Sequence, residues 1–268
     1  MYYKMGVKLK SFKSSIKQNR TLFNLLFPIY ALIRYPHFLL SGIVLKIINK
    51  PITSGDLKLI FPKKNTSFLF VGSLFFGLCE EDEKLSLDKY LNSDAVVLEL
   101  GGCLGVISCY INDKLTNKEN HIVLEANPNL IPYLEKNREL NNHFFKVKNK
   151  VISEFDFIDF FVAKSIHSSS LISETHEKHI IEGISIMNLQ KETAFIFNTL
   201  VMDIEGGELE LILKTNFKEL SIVTIIFELH DFNSMLNPSE VKKINEKLKN
   251  DGFVFREKIG TTVIYLKK

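Results

Sequence analysis

Residues 96–106 read VVLELGGCLGV, and this stretch decides the fold. Its apolar run ends near an acidic residue, Glu99, and a turn that contains Gly101, Gly102 and Gly105 follows. A second apolar segment then begins, so the order predicts a buried strand, a tight turn and a helix start, which together form the first βα unit of a doubly wound sheet. Glycine suits such a turn because a ligand must lie against bare backbone and because the turn is too sharp for a Cβ.

The spacing of the glycines narrows the choice of ligand. G-G-x-x-G is neither the dinucleotide pattern G-x-G-x-x-G nor a Walker loop, which would continue into Gly-Lys-Ser/Thr. Glu99, two places before the first glycine, disfavours a phosphate and suits a cationic ligand. S-adenosylmethionine fits, since it carries an amino group and a sulfonium and no phosphate. The alternative is a turn in which small residues serve packing alone, and Cys103 is interpreted as a packing residue rather than a reactive thiol.

A second carboxylate strengthens the nucleotide interpretation. The apolar run His121–Leu124 ends at Glu125, about 20 residues after the glycine turn, the spacing of the acidic residue that binds ribose hydroxyls in nucleotide-binding α/β folds. A carboxylate can accept from two adjacent hydroxyls at once. Ala126, Asn127 and a proline then begin a predicted helix over residues 129–141.

Two later strands end in polar groups. Residues 198–208 read NTLVMDIEGGE, which predicts a strand that ends at Asp203 and a glycine turn before a helix. The apolar run 221–227 is followed by Glu228 and His230. If the strands are parallel neighbours, these groups meet at the edge that also holds the glycine turn. Such a cluster is either a site with a base or a metal, or a hydrogen-bonded network.

The rest of the chain completes a mostly parallel sheet. Short strands are predicted at residues 57–61, 67–71, 155–162 and 184–187, and residues 80–91 predict a helix with an acidic first turn. The last two apolar runs, 253–255 and 262–266, are close enough in sequence to be antiparallel neighbours. A parallel α/β sheet closed by an antiparallel last strand is typical of the Rossmann-like class I methyltransferase fold.

Composition separates an N-terminal segment from the rest. The chain has 34 basic and 31 acidic residues, yet residues 1–55 hold nine basic side chains and no Asp or Glu. The three cysteines show no C-x-x-C pairing, which argues against a zinc site or a disulfide framework and favours a reducing compartment. We therefore predict a basic, apolar helical segment over residues 1–55 and a catalytic domain over residues 56–268.

The N-terminal segment contains two apolar runs, residues 22–33 and 38–45. Neither reaches the about 18 consecutive apolar residues of a transmembrane helix, and no small-residue cleavage site marks a signal peptide. A basic lead followed by aromatic-rich apolar helices suits a surface resting on an anionic membrane. A helical cap packed on the domain or on a partner subunit is the alternative.

Five motifs in order resemble the FkbM family of S-adenosylmethionine-dependent methyltransferases, over roughly residues 56–268. The family patterns D-V-G-A-N-x-G, F-E-P-N-P, S-S-S-L, D-V/I-E-G-A-E and E-x-H correspond, in that order, to Glu99–Gly105, Leu124–Pro128, Ser168–Leu171, Asp203–Glu208 and Glu228–His230. Glutamate, glycine and cysteine replace the aspartate, alanine and asparagine of the first pattern.

The resemblance implies roles for individual residues. Those expected to bind the cofactor are Glu99, Gly101, Gly102, Cys103, Gly105, Glu125, Ala126, Asn127, Ser153 and Asp203. Those expected to bind the acceptor are Ser168, Ser169, Ser170, Glu205 and His230. His230 is the leading base, assisted by Asp203 and Glu228; alternatively these two carboxylates bind Mg²⁺ or Mn²⁺, which would polarise the acceptor hydroxyl.

Our main hypothesis is an O-methyltransferase that acts on a sugar hydroxyl of a glycan or glycolipid during polysaccharide biosynthesis, as the resemblance implies. It would be cytoplasmic and held at the inner membrane face by residues 1–50. One alternative is methylation of a soluble small molecule, with the N-terminus at an interface between two copies of the chain. Another is a binding protein that keeps the fold without catalysis. Nucleic acid is disfavoured because the basic residues lie among apolar helices and the domain itself is acidic.

Overall fold

The computed structural model describes most of the 268-residue chain, in two compact units. The described ranges are 36–48, 50–64, 66–162, 177–204, 206–229 and 237–268. The smaller unit comprises residues 36–48 and 67–77, and the larger unit comprises the other described residues. None of the helices in these ranges has the length and apolar character needed to cross a membrane.

The smaller unit is a pair of helices, α1 (Pro36–Ile47) and α2 (Phe68–Phe75), that touch backbone to backbone. A Cβ added to Gly42 would lie 1.8 Å from the carbonyl oxygen of Phe68, and one added to Gly72 would lie 2.2 Å from that of Phe38. Any larger residue at either position would push the helices apart, so the two glycines set the distance between them.

The strand predicted for residues 67–71 is wrong, since these residues begin α2. Ser67 caps the helix, and its hydroxyl oxygen accepts a hydrogen bond from the backbone N–H of Phe70 at 3.2 Å. The apolar, aromatic-rich run resembles a buried strand, and short apolar runs do not distinguish a strand from a buried helix by periodicity. Capping decided the outcome here.

The larger unit alternates strands and helices. In chain order its elements are β1 (Ile52–Ser54), β2 (Leu57–Leu59), α3 (Glu81–Tyr90), β3 (Val97–Leu100), α4 (Val106–Lys114), β4 (His121–Leu124), α5 (Ile131–Leu140), β5 (Lys146–Lys148), β6 (Lys150–Ile152), β7 (Phe157–Val162), β8 (Glu177–Ile184), α6 (Ile186–Thr193), β9 (Thr199–Met202), α7 (Glu208–Lys214), a 3₁₀ helix (Phe217–Glu219), β10 (Thr224–Glu228), α8 (Pro238–Asn250), β11 (Phe253–Ile259) and β12 (Thr262–Lys267).

Seven of these strands form the central sheet, in the order β11-β12-β10-β9-β3-β4-β5. Strands β5, β4, β3, β9 and β10 are parallel, and β12 is antiparallel to both β10 and β11. The predicted fold class is confirmed: this is the class I methyltransferase topology, with strand order reversing between β3 and β9. Ligands bind beyond the carboxyl ends of the strands at such a point.

Register brings the predicted site residues to one edge. Leu100, the last residue of β3, is paired with Leu124 of β4 and with Met202 of β9, and Met202 is paired with Phe227 of β10. The glycine turn, Glu125, Asp203 and Glu228 therefore follow their strands at the same level. Their common position is a consequence of the parallel register.

Helices cover both faces of the sheet, because the strands are apolar on both sides. On one face α3 and α4 pack on Val97, Val201, Ile226 and Ile264. The other face packs against α6, α7 and α8. Since side chains alternate along a strand, Glu99 and Glu228 point to the α3–α4 face.

Two small sheets lie outside the central one. β1 and β2 form an antiparallel hairpin, and β6, β8 and β7 form a three-stranded sheet in that order. The strand predicted for residues 184–187 is wrong: β8 ends at Ile184 and α6 begins at Ile186. Ser185 caps α6 by accepting a hydrogen bond from the backbone N–H of Asn188 at 3.2 Å.

Candidate functional site

The glycine turn after β3 is packed against the end of β9. Gly101 has a φ of +92°, and a Cβ at this position would lie 1.9 Å from the carbonyl oxygen of Asp203. Its N–H donates to the carbonyl oxygen of Leu124 at 2.9 Å, and the N–H of Asp203 donates to that of Leu100 at 3.0 Å. The turn is thus fixed to the strands on both sides, and only glycine fits at residue 101.

Glu125 connects this turn to the loop after β4. One carboxylate oxygen accepts from the backbone N–H of Cys103 at 2.7 Å, and the other accepts from the backbone N–H of Asn127 at 2.7 Å. Burial raises the pKa of Glu125, and the N–H groups of Asn127 and Cys103 oppose that rise. Each oxygen has a further lone pair, so the carboxylate can also accept from two ligand hydroxyls.

Glu99 lies beneath the glycine turn. One of its carboxylate oxygens accepts from the Ser108 hydroxyl at 2.7 Å, and the other lies 2.8 Å from Nε2 of His121. The residue is 2% exposed. Both oxygens are therefore engaged inside the protein, where they connect β3 to α4 and β4, and a direct contact between Glu99 and a cofactor stays a prediction.

The thiol of Cys103 is held in its neutral form. Its pKa is raised well above the ordinary value, by burial and by the negative charges of Glu125, Glu80 and Asp203. A thiol is nucleophilic as its thiolate, so these surroundings make Cys103 unreactive. The residue contributes its backbone N–H to Glu125, with a φ of +46°.

The turn after β9 is built around Glu208. One carboxylate oxygen of this buried residue accepts from the backbone N–H of Ile204 at 3.2 Å and from that of Gly206 at 3.3 Å. The last glutamate of the stretch Asp203–Glu208 thus shapes the turn that carries Asp203. This structural role was not predicted from the sequence.

The first turn of α3 reaches the same edge of the sheet. Asp82 accepts a hydrogen bond from the backbone N–H of Thr261 at 3.2 Å, and the carbonyl oxygen of Thr261 accepts from the N–H of Leu229 at 2.9 Å. Leu229 directly follows Glu228. These two bonds fix the start of α3 beside the carboxyl end of β10, so its glutamates join the site.

Glu80 and Glu83 are the two glutamates in question. Burial raises the pKa of Glu80 to about 7; Lys84 opposes the rise, and Glu99 and Glu228 add to it. Burial also raises the pKa of Glu83 well above its ordinary value, and the charges of neighbouring carboxylates add to the rise. The sequence predicts an acidic first turn here, but nothing in the helical pattern indicates that it faces the ligand edge.

The glycine turn, the Glu125 carboxylate and the buried acidic groups fit a nucleoside that carries a positive charge. A family model described as the methyltransferase FkbM domain matches residues 99–255, more than half of the chain. The chain belongs to the FkbM methyltransferase family. The suspected family is confirmed, and the fold of this FkbM methyltransferase is one that binds S-adenosylmethionine.

Solved methyltransferases resemble this FkbM protein in structure. A methyltransferase from Pyrococcus furiosus has a TM-score of 0.47 at 15% identity, covering 88% of this chain and 98% of its own. The ribosomal protein L11 methylase of Lactobacillus delbrueckii subsp. bulgaricus has a TM-score of 0.44 at 12% identity, covering 72% and 79%. Aeropyrum pernix fibrillarin, with natively bound S-adenosyl-L-methionine, has a TM-score of 0.40 at 10% identity, covering 65% and 67%. No curated protein matches the chain significantly in sequence.

Several residues assigned from the sequence of the FkbM methyltransferase are not placed. Ser168, Ser169, Ser170, Glu205 and His230 lie outside the described residues, and their roles stay predictions. Ser153 is described: its hydroxyl oxygen accepts from the backbone N–H of Phe155 at 2.9 Å, so it shapes the turn after β6. In the described part of the chain, no three His, Cys, Asp or Glu side chains are arranged to hold a metal ion.

Two asparagines support the cofactor loops and were missed by sequence reasoning. Asn149 donates to the carbonyl oxygens of Glu125 and Ala126, at 2.8 and 3.0 Å. Asn137, fully buried on α5, donates to the carbonyl oxygen of Leu104 at 2.8 Å. An asparagine in a helix or a loop has no pattern that would indicate such a bond.

Proposed function

We propose that this FkbM methyltransferase transfers a methyl group from S-adenosylmethionine to a sugar hydroxyl of a glycan or glycolipid. The observation that carries the cofactor assignment is the Glu125 carboxylate, which is bonded to Cys103 of the glycine turn and to Asn127. The acceptor assignment is supported by the acidic groups that follow β9 and β10, together with His230 two residues after Glu228.

The residues divide the work of the reaction. When bound, S-adenosylmethionine supplies an electrophilic methyl group on its sulfonium. Glu125 accepts from the ribose hydroxyls and so fixes the nucleoside against the glycine turn. His230 takes the proton of the attacking hydroxyl, because a sugar hydroxyl is a weak nucleophile until its proton is removed. Asp203 and Glu228 orient the acceptor and stabilise the charge that develops on His230.

Two alternatives concern the same site. Asp203 and Glu228 can instead serve as ligands of Mg²⁺ or Mn²⁺, which would polarise the acceptor hydroxyl in place of a histidine base. The acceptor can also be a soluble small molecule, or the protein can bind the cofactor without turnover. Addition of Mg²⁺ and removal of divalent ions with a chelator during the transfer assay separate the first alternative from the histidine base.

Replacing Glu125 with alanine is expected to weaken the binding of S-adenosylmethionine by at least about 30-fold, because both the ribose contacts and the support of the Cys103 N–H are lost. Isothermal titration calorimetry measures the affinity. Glu119→Ala is the control, since this exposed glutamate precedes β4 as Glu125 follows it. Equal affinities of the Glu125→Ala variant and the wild type would contradict the cofactor assignment.

Transfer of labelled methyl from S-adenosylmethionine tests the acceptor. Label on a glycan or glycolipid hydroxyl, and its loss in His230→Asn at retained cofactor affinity, would support the proposal. Label on soluble alcohols alone would favour the small-molecule alternative. Cofactor binding without transfer to any hydroxylated acceptor would favour a binding protein.

We extend the proposal to location: residues 1–50 hold the enzyme on the inner, anionic face of a membrane. Support comes from α1, whose exposed side is apolar at the spacing of one helical face, with exposed fractions of 57%, 36%, 53% and 77% for Leu40, Ile43, Val44 and Ile47. The surrounding sequence supplies positive charge with no acidic residue before Asp56. An apolar helix face flanked by lysines binds anionic lipid through both burial and charge.

Removing two of these side chains is expected to release the protein from vesicles. The double variant Leu40→Gln/Val44→Gln should bind phosphatidylglycerol-containing vesicles at least about fivefold more weakly in a flotation assay, since two apolar side chains no longer leave water. Ile196→Gln/Val223→Gln is the control, with exposed fractions of 66% and 47% in the larger unit. Equal flotation of the Leu40→Gln/Val44→Gln variant and the wild type would contradict the membrane proposal. Dissociation of a dimer would favour the subunit interface instead.

A further inference from the structure

The start of α3 is an acidic surface fixed at the ligand edge. The helix packs on β10, β12 and α4, and Asp82 fastens its first turn to Thr261 and through it to Leu229. Glu228 and Glu99 belong to the sheet face that α3 covers. Glu80 and Glu83 are therefore held near the carboxyl ends of the strands by bonds that do not involve their own carboxylates.

The surroundings of Glu83 are entirely acidic. Its side chain is 5% exposed, and among the described residues it forms neither a hydrogen bond nor an ion pair. The charges that act on it belong to Asp203, Glu80, Glu228 and Glu99. A buried carboxylate without a partner is costly, and further carboxylates around it increase the cost.

Glu80 extends this acidic surface toward the glycine turn. Its charge acts on the thiol of Cys103 as well as on Glu83, and one of its oxygens, Oε2, is buried without a hydrogen bond from the described residues. The cation that acts on it is Lys84, whose ammonium donates to the carbonyl oxygen of Cys79 at 2.8 Å. A cationic ligand at this place would supply the missing positive charge.

We propose that Glu80 and Glu83, with Asp203 and Glu228, recognise the positive charge of the cofactor, so that S-adenosylmethionine is bound in preference to S-adenosylhomocysteine. The inference rests on the proposed function, since it concerns the same cofactor site. The two ligands share the adenosine and the amino acid and differ in the sulfonium, which has lost its methyl group and its charge in S-adenosylhomocysteine. Attraction between fixed carboxylates and a sulfonium is strong because the site is buried.

This selectivity has a use in turnover. Methyl transfer breaks the bond between carbon and sulfur and leaves the bonding pair on sulfur, which becomes a neutral thioether. The positive charge leaves the site with the proton of the acceptor hydroxyl. The acidic surface then loses the charge it attracted, and the product nucleoside is released more easily than the cofactor is.

The test compares the affinities of both ligands, at pH 8, for the wild type and for Glu83→Gln and Glu80→Gln. Calorimetry should show S-adenosylmethionine binding weakened by about tenfold or more in each variant, and S-adenosylhomocysteine binding weakened by less than about threefold. Glu81→Gln is the matched control, because this exposed glutamate lies in the same turn of α3. It should keep the selectivity of the wild type.

Thermal unfolding of the ligand-free variants shows whether they are folded. Each should melt at or above the temperature of the wild type at pH 8, because a neutral amide replaces a buried charge. Folded variants that keep the wild-type ratio of affinities, or that lose both ligands equally, would overturn the inference while leaving the proposed function intact. A wild type that binds neither ligand would overturn the proposed function itself.

Discussion

Replacing Gly101 with alanine is expected to abolish cofactor binding and to lower the free energy of unfolding by more than about 3 kcal/mol. Two costs add at this residue. The φ of +92° is unfavourable for any residue with a Cβ, and that Cβ would lie 1.9 Å from the carbonyl oxygen of Asp203. The turn must move away from β9 to make room, which displaces the N–H of Cys103 from Glu125. Calorimetric titration and urea unfolding measure the two effects.

Gly252→Ala is the matched control for this variant. Gly252 has nearly the same φ, +93°, and no atom lies within 4 Å of an added Cβ. It should therefore show the cost of the backbone conformation alone, about 1–2 kcal/mol, with cofactor binding unchanged. If Gly101→Ala were no more destabilising than Gly252→Ala, the close contact between the turn and the end of β9 would not exist as described.

Replacing Asn137 with alanine is expected to lower the free energy of unfolding by about 3 kcal/mol or more, because three buried backbone groups lose their partner. The side-chain amide donates to the carbonyl oxygens of Leu104 and Ile60, at 2.8 and 3.0 Å, and accepts from the N–H of Ile60 at 2.7 Å. The bond to Leu104 supports the glycine turn, so cofactor affinity should fall too. Urea unfolding and calorimetry are the measurements.

Asn141 provides a matched comparison on the same helix. Its amide makes the equivalent pair of bonds to Lys58, both at 2.8 Å, in a more exposed position. Water can replace those bonds, so Asn141→Ala should cost about 1 kcal/mol and leave cofactor affinity unchanged. Equal losses in the two variants would show that burial of Asn137 does not matter and that the turn does not depend on it.

The central sheet could be predicted because its signals are local and repeated. Each parallel strand is a short apolar run that ends in a polar residue, and the final pair is close in sequence. What failed was the assignment of short apolar segments such as residues 67–71, where helix and strand have the same composition. Capping by Ser67 lies within the segment but carries too little information to decide in advance.

The candidate site divides along a similar line. Glu125 was predicted because its distance from the glycine turn is fixed by one βα unit. Glu80 and Glu83 could not be predicted, since their position depends on how the first turn of α3 is fastened to Thr261, 179 residues later in the chain. The same limit applies to Asn137, which meets Ile60 from 77 residues away. Contacts between distant parts of the chain leave no periodic trace.

The two-helix contact at Gly42 and Gly72 affects how this chain can be shortened. Its halves are separated in sequence, because residues 50–64 and 66, which belong to the larger unit, come between α1 and α2. Removing the first 49 residues would therefore not remove the smaller unit. It would leave α2 joined at both ends to the larger unit, with Gly72 facing solvent where the backbone of Phe38 had been. A clean excision needs two cuts and a new joint.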